Sequence, residues 1–106
     1  MKIYVNNKEI DIEICKSFIK KTKGLMGKKN IKTGILLVKC NSIHTFFMKD
    51  KIDVIMTDKN YKILHIYTSL PKNKIIFPKK NVYYIFELPK NTVKNIKINT
   101  KLKIEE

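Results

Sequence analysis

The sequence predicts an α+β fold: a mainly antiparallel, curled or barrel-like β-sheet with one helix in the N-terminal half. Three observations carry this reading. Most segments alternate apolar with polar residues or form short apolar runs, both strand patterns. Asn, Asp and Pro punctuate those segments at short intervals. Only the stretch "CKSFIKKTKGLMG" changes to a helical period.

The elements follow in chain order. "KIYV" and "KEIDIEI" flank Asn6-Asn7, a pair suited to the positive φ angles of a tight hairpin turn. In the second strand Ile10, Ile12 and Ile14 alternate with Asp11 and Glu13, giving one buried face. Ile14, Phe18, Thr22, Leu25 and Met26 then fall near one helical face, with Gly24 or Gly27 as the stop. Lys20, Lys21 and Lys23 suit the C-terminal end of that helix. "GILLVK" reads as a short strand, and "HTFFM" as an extended segment after a loop through Asn41 and Ser42. "IDVIMTD" and "YKILHIY" form a hairpin around Lys59-Asn60, with Asn60 in the left-handed region. "TSLPKNKIIFPKKN" is a long connection holding a short strand near Ile75 and Phe77. "VYYIFEL" is an apolar strand, "PKNTVKNIKI" holds one helical turn opened by Pro89, and "KLKIE" closes the sheet with Leu102 and Ile104 inward.

The length of 106 residues fits a single domain, 1–106, able to bury a core without disulfides or metal. An apolar fraction of 43% argues against disorder. No apolar run is long enough for a transmembrane helix, and "MKIYVNNKEIDIEI" lacks the apolar core of a secretory signal. The expectation is a cytoplasmic protein with no membrane partner, in which Cys15 and Cys40 are reduced thiols. The net charge is +14, and all 23 basic residues are lysine. Such a field attracts polyanions without regard to sequence. Without arginine, the usual bidentate reader of guanine and phosphate, sequence-specific recognition is disfavoured. Nucleic-acid binding is therefore expected to be weak and nonspecific at most.

The candidate chemistry lies in "SIHTFFMKDKIDVIMTD" and in the later "FELP". Asp53 interrupts an apolar strand, where a bare carboxylate would cost several kcal/mol, so it must be paired. It either accepts backbone N–H groups at a bend or orients His44 as a general base. If residues 49–52 form a tight hairpin, Asp53 faces Met48 instead. Glu87 ends the apolar run "VYYIF" and either caps the following turn or shares a cleft with His44. His44, Thr45, Lys49, Asp53 and Glu87 are thus the ligand-binding candidates, with Thr45 and Lys49 at the rim. No nucleophile is evident, since Ser42, Thr45 and Cys40 are near His44 in sequence only. Cys40 and His44 have C-x₃-H spacing, and Cys15 and His65 would complete four ligands. The paired knuckles of a zinc site are missing, however, so no metal is expected. No glycine-rich phosphate loop is present, no cofactor is implied, and Met26, Met48 and Met56 read as core filler.

The segments "GLMG" (24–27), "GILLV" (34–38), "IHTFFMKDKIDVIMTD" (43–58) and "ELP" (87–89) resemble, in order and spacing, family 192 of the domains of unknown function. The likeness covers residues 14–103, and its specific part is the His-Thr-Phe-x-Met-Lys run followed by Ile-Asp-Val. Phe47 stands where the family has Gly or Trp, and Lys51 where it has Pro. Thr100 stands where it tends to have Asp, and Asn60, Asn91 and Asn99 replace later glycines. Asn tolerates the left-handed conformation best among non-glycine residues, so those turns are expected to survive. The resemblance implies a small β-rich α+β fold and no particular activity. The first functional reading is a noncatalytic module for a small-molecule or protein ligand. An enzyme using a His–carboxylate pair is the alternative, and a nonspecific nucleic-acid binder ranks third.

Overall fold

The computed structural model describes residues 1–15, 32–46 and 48–106. They form nine strands: β1 (Lys2–Val5), β2 (Lys8–Cys15), β3 (Gly34–Val38), β4 (Ile43–His44), β5 (Ile52–Thr57), β6 (Ile63–Leu70), β7 (Ile75–Ile76), β8 (Tyr84–Pro89) and β9 (Lys103–Glu105). Seven of them make one sheet in the order β6-β5-β8-β3-β2-β1-β9, and β4 pairs with β7 in a separate ribbon. Every pairing is antiparallel except β2 with β3.

The sheet curls until its two ends meet. Lys62 bridges Lys101, and backbone bonds join Ile63 N to Thr100 O, Asn99 N to Ile63 O and Leu102 N to Tyr61 O. Strand alternation then sorts the apolar residues onto two sides of the curled sheet. Ile3, Val5, Ile10, Ile12, Leu36, Ile55, Phe86, Leu88 and Leu102 fill the inside. Ile35, Leu37, Val54, Met56 and Ile85 point outward from the central strands. There Ile43, Met48, Ile76 and Val82 cover them, so the β4–β7 ribbon roofs a second, outer core. Gly34 sits where a side chain would reach within 2.6 Å of Ile12 and 2.7 Å of Leu88, so glycine lets β3 approach its neighbours.

The β-rich, barrel-like part of the expected fold is present. Among the described residues there is no helix. The expected helix falls on residues 15–27, of which 16–27 lie outside the described residues, and Cys15 is the last residue of β2. The helical turn expected after Pro89 is instead a chain of non-helical turns, with Asn91, Asn95 and Asn99 at positive φ. These orientations follow from three left-handed residues in nine, which no helix accommodates. Asn6 and Asn7 turn the first hairpin as expected, at φ 51° and 66°. In the β5–β6 hairpin the positive φ falls on Tyr61, not on Asn60. Asp58 Oδ1 accepts from the N–H groups of Asn60 and Lys62, which sets the turn one residue later.

Candidate functional site

Asp53 is fully buried and faces the interior of the curled sheet, opposite Leu88 in the register. Its Oδ1 accepts from Ser69 N at 2.8 Å, and its Oδ2 accepts from Thr92 N and Val93 N, each at 2.8 Å. The β5–β6 register shifts between Ile52 and Val54, at Asp53 itself, and Ser69 has φ 49°. The carboxylate thus fills the space opened by an irregularity in the ladder and ties β6 and the turn after β8 to β5.

Glu87 is buried on the opposite side of the same sheet. Its register partners Ile35 and Val54 both belong to the outer core, whereas those of Asp53 look inward. The two carboxylates therefore share no cleft. His44 lies in a third place, since Ile43 turns into the outer core and His44 turns away to solvent, opposite exposed Ile75. Its Nδ1 accepts from Phe46 N at 3.2 Å, and its ring stacks on Phe46 with centroids 5.1 Å apart. The expected extension of "HTFFM" stops at His44, and a turn begins at Phe46. Residues 49–52 form no hairpin between β4 and β5, which belong to different sheets. The His44–Asp53–Glu87 constellation is accordingly not assembled: alternation and layering send the three side chains to three sides.

Thr45 is buried and acts as a hub. Its hydroxyl donates to Pro71 O and accepts from Lys74 N, both at 2.7 Å. Its backbone N–H donates to Lys74 O, and its carbonyl accepts from Asn73 N and Met48 N. Residues 71–74 are thereby fastened to the β4 end.

Lys49 lines an open depression of ≈ 420 Å³ together with Lys51, Lys72, Lys90, Asp50, Ser69 and Asn91. Asp50 pairs with Lys90 at 3.1 Å, and hydrogen bonding from that ammonium, with Lys51 N–H second, holds the carboxyl below its usual range. Four ammonium groups surround one carboxylate. Two sequence candidates position this depression without lining it. Asp53 anchors Ser69 on one wall and Thr92, next to Asn91, on another. Thr45 fixes the loop that carries Lys72. Sequence reading missed Lys51, Lys72 and Lys90 because lysine is spread along the whole chain and no spacing singles them out.

Among the described residues no group of three His, Cys, Asp or Glu side chains could hold a metal ion, and no helix is long and apolar enough to cross a membrane. Cys15 is buried beside the outer core, whereas Cys40 donates its Sγ–H to Ser42 O at 3.2 Å.

Comparison with known proteins agrees with the sequence resemblance. The family DUF192, described as "Uncharacterized ACR, COG1430", matches residues 1–105. UPF0127 protein PH1112 of Pyrococcus horikoshii is 36% identical over 94 residues, covering 84% of this chain and 81% of that protein. Among solved structures, a protein of unknown function from Novosphingobium aromaticivorans superposes with a TM-score of 0.78 at 11% identity, covering 97% of this chain and 82% of that one. A proposed transcription regulator from Sinorhizobium meliloti superposes with a TM-score of 0.79 at 16% identity, covering 96% and 89%. At these identities the two structures share the fold.

Proposed function

The chain belongs to the DUF192 family, and from that premise we propose that it is a single-domain, noncatalytic ligand-binding or accessory module whose ligand is an anion held at the lysine-lined depression. The observation that carries this reading is the set Lys49, Lys51, Lys72 and Lys90 around one carboxylate that is already paired. Four positive charges against one negative leave three uncompensated, and a concave surface focuses such a field on small anions. Lysine ammoniums are flexible point charges, suited to phosphate or carboxylate groups of varied geometry. The walls are held by partly buried backbone N–H groups that donate to Asp53 and Thr45, so the lysines project from fixed backbone.

The same geometry weighs against a His–carboxylate enzyme. A general base must lie within hydrogen-bond reach of the group that orients it. Both oxygens of Asp53 are engaged with backbone N–H groups, and His44 is on the solvent side of the ribbon. A reducing, cytoplasmic setting suits the thiols Cys15 and Cys40.

Calorimetric titration with inorganic tripolyphosphate at near-physiological salt tests the reading. The double variant K49E/K72E is expected to lose at least about tenfold in affinity, equivalent to about 1.4 kcal/mol. K97E/K101E, which makes the same charge change at a different depression beside Tyr4 and Ile63, is expected to change it little. Equal losses in both variants would assign the binding to net charge and overturn a localised site.

A further inference from the structure

The β4–β7 ribbon has an outer surface for which the fold has no use. Its inward residues, Ile43 and Ile76, are buried in the outer core. Its outward pair, His44 and Ile75, lie directly opposite each other, and Ile75 is 50% exposed. Phe77 continues the outward alternation and is 70% exposed, the most exposed large apolar side chain among the described residues. Phe46 stacks on the His44 ring with an interplanar angle of 26°. The rings of Phe77 and His44 and an isoleucine thus stand in solvent, with half-buried Phe46 stacked against His44, on a ribbon tied down by the Thr45 hub.

The charge along the segment that carries this surface has one sign. The segment "PKNKIIFPKKN" (71–81), which contains Ile75 and Phe77, carries Lys72, Lys74, Lys79 and Lys80 and no acidic residue. Lys72 also lines the lysine depression, and the chain from Lys72 to Ile75 spans at most about 10 Å. Depression and ribbon are therefore neighbours along one basic strip.

Resting on the anion-binding reading above, we propose that the ligand is single-stranded nucleic acid, with its phosphates along the lysines and unpaired bases stacked on Phe77 and the His44–Phe46 pair. The chemistry selects this occupant. Phosphates answer a strip of lysines whose one carboxylate, Asp50, is already paired with Lys90, and bases answer exposed rings, because every base has a flat π face regardless of its identity. A duplex keeps its bases stacked inside and would meet the lysines alone. An acidic peptide would answer the charge but has no systematic partner for the rings. Binding is sequence-blind, since lysine–phosphate attraction and stacking on a ring face address groups that every nucleotide carries.

Fluorescence anisotropy tests the proposal with labelled oligothymidylate of about 12 nucleotides, a length within the range one small β-barrel covers. The competitors are a duplex of equal length, polyglutamate and tripolyphosphate. The single strand is expected to bind at least about tenfold more tightly than the duplex, and Phe77→Ala is expected to weaken it by about five- to a hundredfold. His44→Ala is expected to weaken it in the same direction. Neither variant is expected to alter tripolyphosphate affinity, and both are expected to keep the wild-type melting temperature, because these side chains are exposed. Equal affinity for duplex and single strand, no effect of Phe77→Ala, or displacement by polyglutamate as effective as by oligothymidylate would overturn the proposal. Tripolyphosphate binding that persists in those cases would leave the lysine depression standing as a plain anion site. Its loss as well would remove both readings.

Discussion

Replacing Asp53 by Asn changes one atom and tests the central brace of the fold. The carboxylate offers two acceptor oxygens to three N–H donors. An amide has one. In its best orientation the oxygen faces Thr92 and Val93, and the NH₂ group meets the Ser69 N–H, donor against donor. Ser69 is exposed at the surface, so its orphaned N–H costs near the lower limit of about 1 kcal/mol. The two retained bonds fall from charge-assisted to neutral strength, about 1 kcal/mol each. The sum is about 3 kcal/mol, a large share of the 5–15 kcal/mol that holds a typical protein folded. Urea denaturation followed by circular dichroism would show a lower midpoint with an unchanged slope. The same variant should bind tripolyphosphate less well even where it remains folded, because Ser69 and the turn bearing Asn91 form the depression's walls. A loss below about 0.5 kcal/mol would refute the assignment of Asp53 as a brace, since surface substitutions alone give changes of that size.

Two further outcomes follow from the packing and the tyrosines. Gly34→Ala would force Ile12 and Leu88 to move inside a filled core, with the Glu87 carbonyl 3.0 Å away as a rigid limit, and is expected to cost about 1–3 kcal/mol in denaturant titration. Burial first, and the Tyr84 hydrogen bond second, push the Tyr61 phenol up from 10.0 to about 12, so the folded state holds this proton after the unfolded state has lost it. The corresponding stability is intact below pH 10 and declines as pH rises toward 12; Tyr61→Phe should flatten that part of the melting-temperature profile, and an unchanged profile would contradict the assignment.

Much of the β framework was legible because its signals are local. Alternation placed Ile10 and Ile12 inward, although Ile14, expected on the same buried face, is exposed; the Asn6-Asn7 turn closed the first hairpin, and Asn91 and Asn99 took the left-handed conformation in place of glycine. That Asp53 must be satisfied was also legible, from a carboxylate set in an apolar strand. Its partners were not, for Ser69, Thr92 and Val93 lie 16, 39 and 40 residues away and are named only by their backbone N–H groups. Any residue but proline supplies the same donor. His44 and Asp53 looked related because they are close in sequence, but a turn and a change of sheet separate them. The lysine depression was hidden by composition, because a residue type used 23 times cannot mark four positions.

Closure of the sheet by residues 99–105 bears on edge-to-edge association while the protein folds. An end strand displays a row of unsatisfied N–H and C=O groups that recruits other chains. Here one short stretch meets both end strands: Asn99 and Thr100 bond to Ile63, the first residue of β6, Leu102 bonds to Tyr61 just before it, and β9 lies along β1. Until that stretch docks, a folding chain shows both rows at once. The contacts that hide them join residues far apart in sequence, such as Lys2 with Glu105, and such contacts form late and slowly. The interval before docking is when self-association competes with folding, and its length rests on a stretch in which Leu102 is the one fully buried apolar side chain.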